Sequence, residues 1–117
     1  MTRRIALVTG GGGGIGRAIS IALAVDGRAV AVADVRLDAA TATADAVSDS
    51  GGEAVPVSLD VSDTDSVRSA VELVARELGP VDVVVNNAGW DELVPFLETD
   101  EPFWERVIDI NFTGVCA

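Results

Sequence analysis

Five consecutive glycines, Gly10 to Gly14, stand between a short apolar run, Ile5 to Val8, and a segment whose apolar residues recur at helical spacing. Such a run cannot lie inside a helix or a strand, because glycine loses the most backbone freedom on ordering and brings no side chain to pack. It is therefore a turn, and its position makes it a strand-to-helix turn whose backbone can bend sharply and come close to whatever sits above it. The rest of the chain has to be arranged around that junction.

Three further apolar runs follow, Ala29 to Ala33, Ala54 to Val57 and Val81 to Val85, each bounded by Gly, Pro or acidic residues. Their length and β-branched content predict buried strands. Between the strands, Ile15, Ala18, Ile19, Ala22 and Leu23 mark one helical face. Leu37, Ala40, Ala44 and Val47 mark a second, within Leu37 to Ser50, and Val67, Ala70, Val71, Val74, Ala75 and Leu78 mark a third. Gly51-Gly52 closes the second helix, Ser62 with Asp65 three residues on predicts the N-cap of the third, and Gly79-Pro80 stops it. From Gly89 to Glu101 the chain is acidic and irregular. Helical spacing then resumes with Trp104, Val107, Ile108, Asn111 and Val115, with Thr99 or Asp100 as cap and Pro102 in the first turn.

Strands alternating with helices through short loops predict an α/β fold, a doubly wound parallel sheet in three α/β/α layers with right-handed crossovers. The last helix runs to the C-terminus without a stop signal. The expectation is one domain over residues 1–117, the N-terminal portion of a longer chain interrupted after the fourth strand and its following helix.

At 117 residues and 49% hydrophobic content the chain can bury a core. Its 19 acids against 8 bases give a charge of −11, which repels nucleic-acid phosphates and anionic lipid, so neither nucleic acid nor membrane is an expected partner. No apolar run approaches a membrane span, and only four apolar residues follow Arg3 and Arg4 before Thr9, too few for a signal peptide. A cytoplasmic location is expected. The single cysteine, Cys116, cannot form an intrachain disulfide. Histidine, tyrosine and lysine are absent, and all 8 basic residues are arginines. That removes Ser-His-Asp, Cys-His and Schiff-base chemistry and nearly every zinc site, so no metal is expected.

Two features point to a ligand. A glycine loop opening a helix offers free backbone N–H groups and the positive end of the helix dipole to a diphosphate, although a glycine run alone also suits a merely flexible turn. Asp34 ends the second strand, 18 residues beyond Gly16. A carboxylate there can accept both hydroxyls of an adenosine ribose and repels a 2′-phosphate, which favours NAD over NADP. A helix-capping or solvated aspartate is the alternative, and Arg36, two residues on, keeps a 2′-phosphate open as an option. Asn111 shares the helical face of Trp104, Val107 and Ile108, which predicts an amide among buried side chains in need of partners, or one that kinks the helix.

Together, Thr9-Gly10-x-x-x-Gly14-x-Gly16, then Asp60-Val61 after the third strand, then Asn86-Asn87-Ala88-Gly89 after the fourth, resemble the short-chain dehydrogenase/reductase family in order and spacing across the whole chain. Gly10, Gly13 and Gly16 also fit the spacing of the extended branch of that family, whereas Asn-Asn-Ala-Gly is similar to its single-domain branch. The resemblance implies a Rossmann-type fold and NAD-dependent hydride transfer between a secondary alcohol and a ketone, in a homo-oligomer of two or four subunits. It implies that Gly10, Gly14, Ile15 and Gly16, with Gly12 and Gly13 in the same loop, face the diphosphate, that Asp34 binds the adenosine ribose and that Asp60 and Val61 face the adenine. Asn87, Ala88 and Gly89 would face the neighbouring ribose and the sheet edge. Asn111 matches the family asparagine that holds a water in the proton relay to a catalytic lysine.

The family's Ser and Tyr-x-x-x-Lys lie further downstream, and these 117 residues contain neither tyrosine nor lysine. This stretch is therefore expected to carry the cofactor-binding part only and to be inactive by itself, with a non-catalytic dinucleotide-binding module as the alternative. Trp90-Asp91, with Pro95-Phe96 and Trp104, resembles dehydrogenases of cyclic 2-hydroxyacyl-CoA thioesters, and reductases of 3-oxoacyl thioesters share most of the same frame. Methyltransferases also place glycines after a first strand and an acid after a second. Thr9 and the Asn86 to Gly89 run argue against that class.

Overall fold

In a computed structural model that describes residues 4–90 and 92–116, strand β1 (Ile5–Thr9) leads through the glycine run into helix α1 (Gly14–Val25). Strand β2 (Ala29–Asp34), helix α2 (Leu37–Asp49), strand β3 (Ala54–Ser58), helix α3 (Thr64–Glu77) and strand β4 (Val83–Val85) follow. A 3-10 turn (Phe96–Glu98), helix α4 (Glu101–Ile108), a π turn (Asp109–Thr113) and a short helix α5 (Gly114–Cys116) complete the described chain. The strands form one parallel sheet in the order β3-β2-β1-β4.

The central strands are buried on both faces, which is why they read as unbroken apolar runs. Their alternate side chains feed two separate layers. Ile5, Leu7, Ala29, Ala31 and Ala33 pack with Val57, Leu59 and with Ala70 and Val74 of α3. Val8, Val30 and Val32 pack with Ala40 and Ala44 of α2 and with Ile19 and Leu23 of α1. The sheet thus has helices on both sides, the three-layer α/β arrangement expected from the strand–helix alternation. Because β3 lies beyond β2 whereas β4 lies on the opposite side of β1, the strand order reverses at β1. The crevice at the carboxyl ends of β1 and β4 is where ligands bind in such sheets.

Several local expectations need correction. The buried face of α1 is Gly16, Ile19, Ser20 and Leu23, while Ile15 is 73% exposed and Ala18 and Ala22 face solvent. Small residues win there because the helix lies close beneath the loop, and the fully buried Ser20 satisfies its hydroxyl by donating to the Gly16 carbonyl at 2.9 Å. Leu37 and Val71 are likewise exposed rather than core. The cap of α3 is Asp63, whose carboxylate accepts from the N–H groups of Asp65 and Ser66, and Ser62 instead donates to Asp60. Strand β4 starts at Val83, not Val81. Asp82 holds its entry by donating its N–H to the Ile5 carbonyl and accepting the Ile5 N–H on its carboxylate. Asp100 alone caps α4, by accepting from Phe103, while the Thr99 hydroxyl donates to the Phe96 carbonyl. Among the described residues no helix is long and apolar enough to cross a membrane.

Candidate functional site

A cleft of about 400 Å³ opens at the carboxyl end of the sheet. Its walls are Thr9 at the end of β1, Gly10 and Gly13 from the glycine loop, Asp34 at the end of β2 with Val35 after it, Leu59 to Ser62 after β3, and Asn87 to Trp90 after β4, with Arg106 and Ile110 completing the lining. Eight of the residues that the sequence offers for cofactor binding line it: Gly10, Gly13, Asp34, Asp60, Val61, Asn87, Ala88 and Gly89, and so does Trp90. Gly12, Gly14, Ile15, Gly16 and Asn111 do not.

The loop is tied to the segment after β4 by a small set of polar contacts. Thr9, almost fully buried, accepts the N–H groups of Asn87 (3.1 Å) and Ala88 (3.0 Å) on its hydroxyl oxygen and donates its own proton to the Val85 carbonyl at 3.3 Å. The Asn87 amide donates to the Gly10 carbonyl at 3.1 Å. Gly10 adopts φ +64°, a left-handed conformation that favours glycine. Gly16 lies so close beneath it that an added Cβ would stand 2.0 Å from the Gly10 oxygen. Gly12 has a different task, packing against Ala39 and donating its N–H to Asp34 Oδ2 at 3.0 Å. Around Gly13 and Gly14 there is open space.

Helix α1 starts at that open space with no side-chain cap and with no acidic residue in its first turn. Side-chain acceptors are thus missing where the helix presents its free N–H groups and the positive end of its dipole, the arrangement that receives an anion. Asp34 faces the same cleft with both carboxylate oxygens oriented: Oδ2 accepts from Gly12 and Oδ1 accepts from the Arg36 N–H at 3.0 Å. Each oxygen retains lone-pair capacity for a ligand hydroxyl. The Arg36 guanidinium is turned to Asp38, 3.1 Å away. Asp60 shapes the third wall by accepting both the N–H (3.0 Å) and the hydroxyl (2.6 Å) of Ser62, and its own N–H donates to Ser66 Oγ. Gly114 lets α5 sit against Val61, since a Cβ there would meet the Val61 methyl at 2.9 Å.

Asn111 departs from the buried position that its helical spacing implies. It is exposed and lies in the π turn, whose wider winding breaks the 3.6-residue phase after Ile108. Its amide clamps the backbone of Trp90, accepting the Trp90 N–H at 3.0 Å and donating to the Trp90 carbonyl at 2.6 Å. Asp91, its neighbour in the motif, lies outside the described residues. The Trp90 ring is held as well, with Phe103 edge-on at 5.4 Å and the Arg106 guanidinium 3.8 Å from its centroid. Sequence reasoning passed over Thr9 as a ligand-side residue, and also Arg106 and Ile110. A hydroxyl ending an otherwise apolar strand was the available signal for Thr9; nothing marked Arg106. Asn111→Ala is expected to cost about 1 kcal/mol through the two lost exposed hydrogen bonds and to red-shift Trp90 emission. Tryptophan fluorescence during urea unfolding, in a Trp104→Phe background, checks both.

A family model described as short chain dehydrogenase matches residues 4–117. The chain is 44% identical over 113 residues to a cis-4-hydroxycyclohexanecarboxylate dehydrogenase of Sinomonas cyclohexanicum, covering 96% of this chain and 45% of that protein. It is 40% identical over 114 residues to an L-2,3-butanediol dehydrogenase of Corynebacterium glutamicum, covering 96% of this chain and 44% of the other. A crystal structure of a short-chain type dehydrogenase/reductase from Mycobacterium marinum superposes with a TM-score of 0.92 at 36% identity, over 98% of this chain and 45% of that one. The chain therefore spans slightly less than half the length of these relatives. A match over residues 4–117, together with a superposable fold, makes this chain a member of the short-chain dehydrogenase family.

Proposed function

We propose that the cleft binds NAD and that the protein carrying it is an NAD-dependent oxidoreductase acting on a secondary alcohol or the corresponding ketone. The observation that carries this reading is the uncapped, acid-free start of α1 behind the glycine loop, with the oriented Asp34 carboxylate in the same cleft. The residues present fit the dinucleotide: the loop N–H groups suit its diphosphate, Asp34 its adenosine ribose, and Asp60 and Val61 its adenine. Asn87, Ala88 and Gly89 suit the second ribose. When bound, its nicotinamide supplies hydride acceptance or donation. The chain's own residues bind and orient it, and Asn111 fixes the Trp90 backbone at the cleft's edge.

Under this reading residues 1–117 are the first part of one dinucleotide-binding domain, in a cytoplasmic homo-oligomer whose remaining residues supply the proton-transfer groups. The two named relatives act on a hydroxycyclohexanecarboxylate and a butanediol, both secondary alcohols, which supports that substrate class. An acyl thioester remains the alternative. A non-catalytic binding module is the second reading, favoured by the absence of tyrosine and lysine from these 117 residues. Calorimetric titration of the protein with NAD and NADP, together with an assay of alcohol-dependent NADH formation, tests both. Saturable NAD binding with turnover is expected. Binding without turnover selects the module, and no binding of either nucleotide defeats the cofactor reading.

A further inference from the structure

Arg36 raises a question that Asp34 alone does not answer. Its backbone N–H donates to Asp34 Oδ1, so its Cα is tethered one hydrogen bond from the carboxylate proposed to hold the adenosine ribose. A guanidinium on so long a side chain is well suited to a 2′-phosphate, which it can grip through two parallel hydrogen bonds. A chain that places an arginine there would offset the repulsion that Asp34 exerts on NADP. In the structure the guanidinium is engaged elsewhere, 3.1 Å from Asp38 Oδ2. Asp38 stands in the first turn of α2, where the helix dipole favours a negative charge independently of Arg36. The Arg36 guanidinium beside it holds the Asp38 carboxyl below the usual carboxylate range. Both side chains are more than two-thirds exposed, at 71% and 74%, and a pair that open to solvent adds little to the stability of the fold.

We infer that Asp38 is a second selector against NADP: it diverts and neutralises Arg36. This rests on the reading of Asp34 as the ribose acceptor. Selectivity then comes from two carboxylates with different tasks, Asp34 accepting the hydroxyls and Asp38 occupying the guanidinium of Arg36.

The test is the ratio of NADP to NAD dissociation constants for the protein, D38N, D38S, R36A and the double variant D38N/R36A. D38N and D38S are expected to tighten NADP by about threefold to fivefold and to leave NAD within about twofold, because an exposed charge pair is worth a few-fold in equilibrium. The gain should vanish in D38N/R36A and shrink as ionic strength rises. An unchanged ratio in both single Asp38 variants, or a gain that survives removal of Arg36, overturns the selector role while leaving Asp34 intact. A protein that binds NADP as tightly as NAD before any substitution overturns the Asp34 reading itself and this inference with it.

Discussion

Gly16→Ala is expected to destabilise the protein by about 3 kcal/mol and to abolish measurable dinucleotide binding. The single added methyl would stand 2.0 Å from the Gly10 oxygen, 2.8 Å from the Gly10 carbonyl carbon and 2.6 Å from the Asn87 amide nitrogen. Two of those atoms are backbone, so no rotamer change can relieve the clash. Either α1 retreats from the loop or Gly10 moves and surrenders the Asn87 hydrogen bond that joins the loop to the segment after β4. Both routes deform the anion-facing start of α1. Gly13→Ala is the control, because its extended backbone (φ −139°) accepts any residue and nothing lies within 4 Å of the added Cβ. Its unfolding midpoint in urea should match the parent protein to within about 0.5 kcal/mol. A Gly16→Ala protein with the parent's midpoint and affinity would show that close loop–helix packing is not what the site depends on.

Asp34→Ala is expected to weaken NAD binding by about tenfold to a hundredfold, the loss of charge-assisted hydrogen bonds worth about 1.5–3 kcal/mol. The carboxylate also accepts from Gly12 and Arg36 in the free protein, so its removal loosens the loop in addition to deleting the ribose acceptor. Asp34→Asn separates the two effects, because an amide oxygen can still accept from one of those N–H groups while the charge is gone. NADP affinity should fall less than NAD affinity in Asp34→Ala, narrowing the gap between the cofactors. Calorimetry with both nucleotides reads that gap directly, and an unchanged ratio would remove Asp34 from cofactor choice.

What the sequence made legible follows from which physical signals it carries. Strands β1 and β2 are apolar because both their faces are covered, and the glycine run marks the turn that a diphosphate loop needs. Their alternation with helices was enough to foresee the layered sheet. Hydrophobic periodicity misplaces the buried face of α1 because it registers bulk, whereas the contact under the loop selects smallness, in Gly16 and Ser20. The apolar run places the start of β4 too early because Val81 packs against the core without joining the ladder, and Asp82 fixes the entry. For Asn111 the alternative of a residue that kinks the helix fits the π turn, whereas the inward position rests on an unbroken α-helical phase that the chain does not keep. Arg106 was not foreseen at all: a cation over an aromatic ring is a relation between residues of two separate loops and helices, invisible until the chain is folded.

The hydroxyl of Thr9 has one proton and two lone pairs, and its three neighbours, the Val85 carbonyl and the N–H groups of Asn87 and Ala88, use all of them. The tip of β1 and the segment after β4 are therefore joined at a single atom with no spare capacity. One wall of the cleft cannot slide past the other without breaking bonds shielded from water. The start of the glycine loop and the segment after β4 are thus held as one piece, and a ligand entering the cleft meets that wall already assembled.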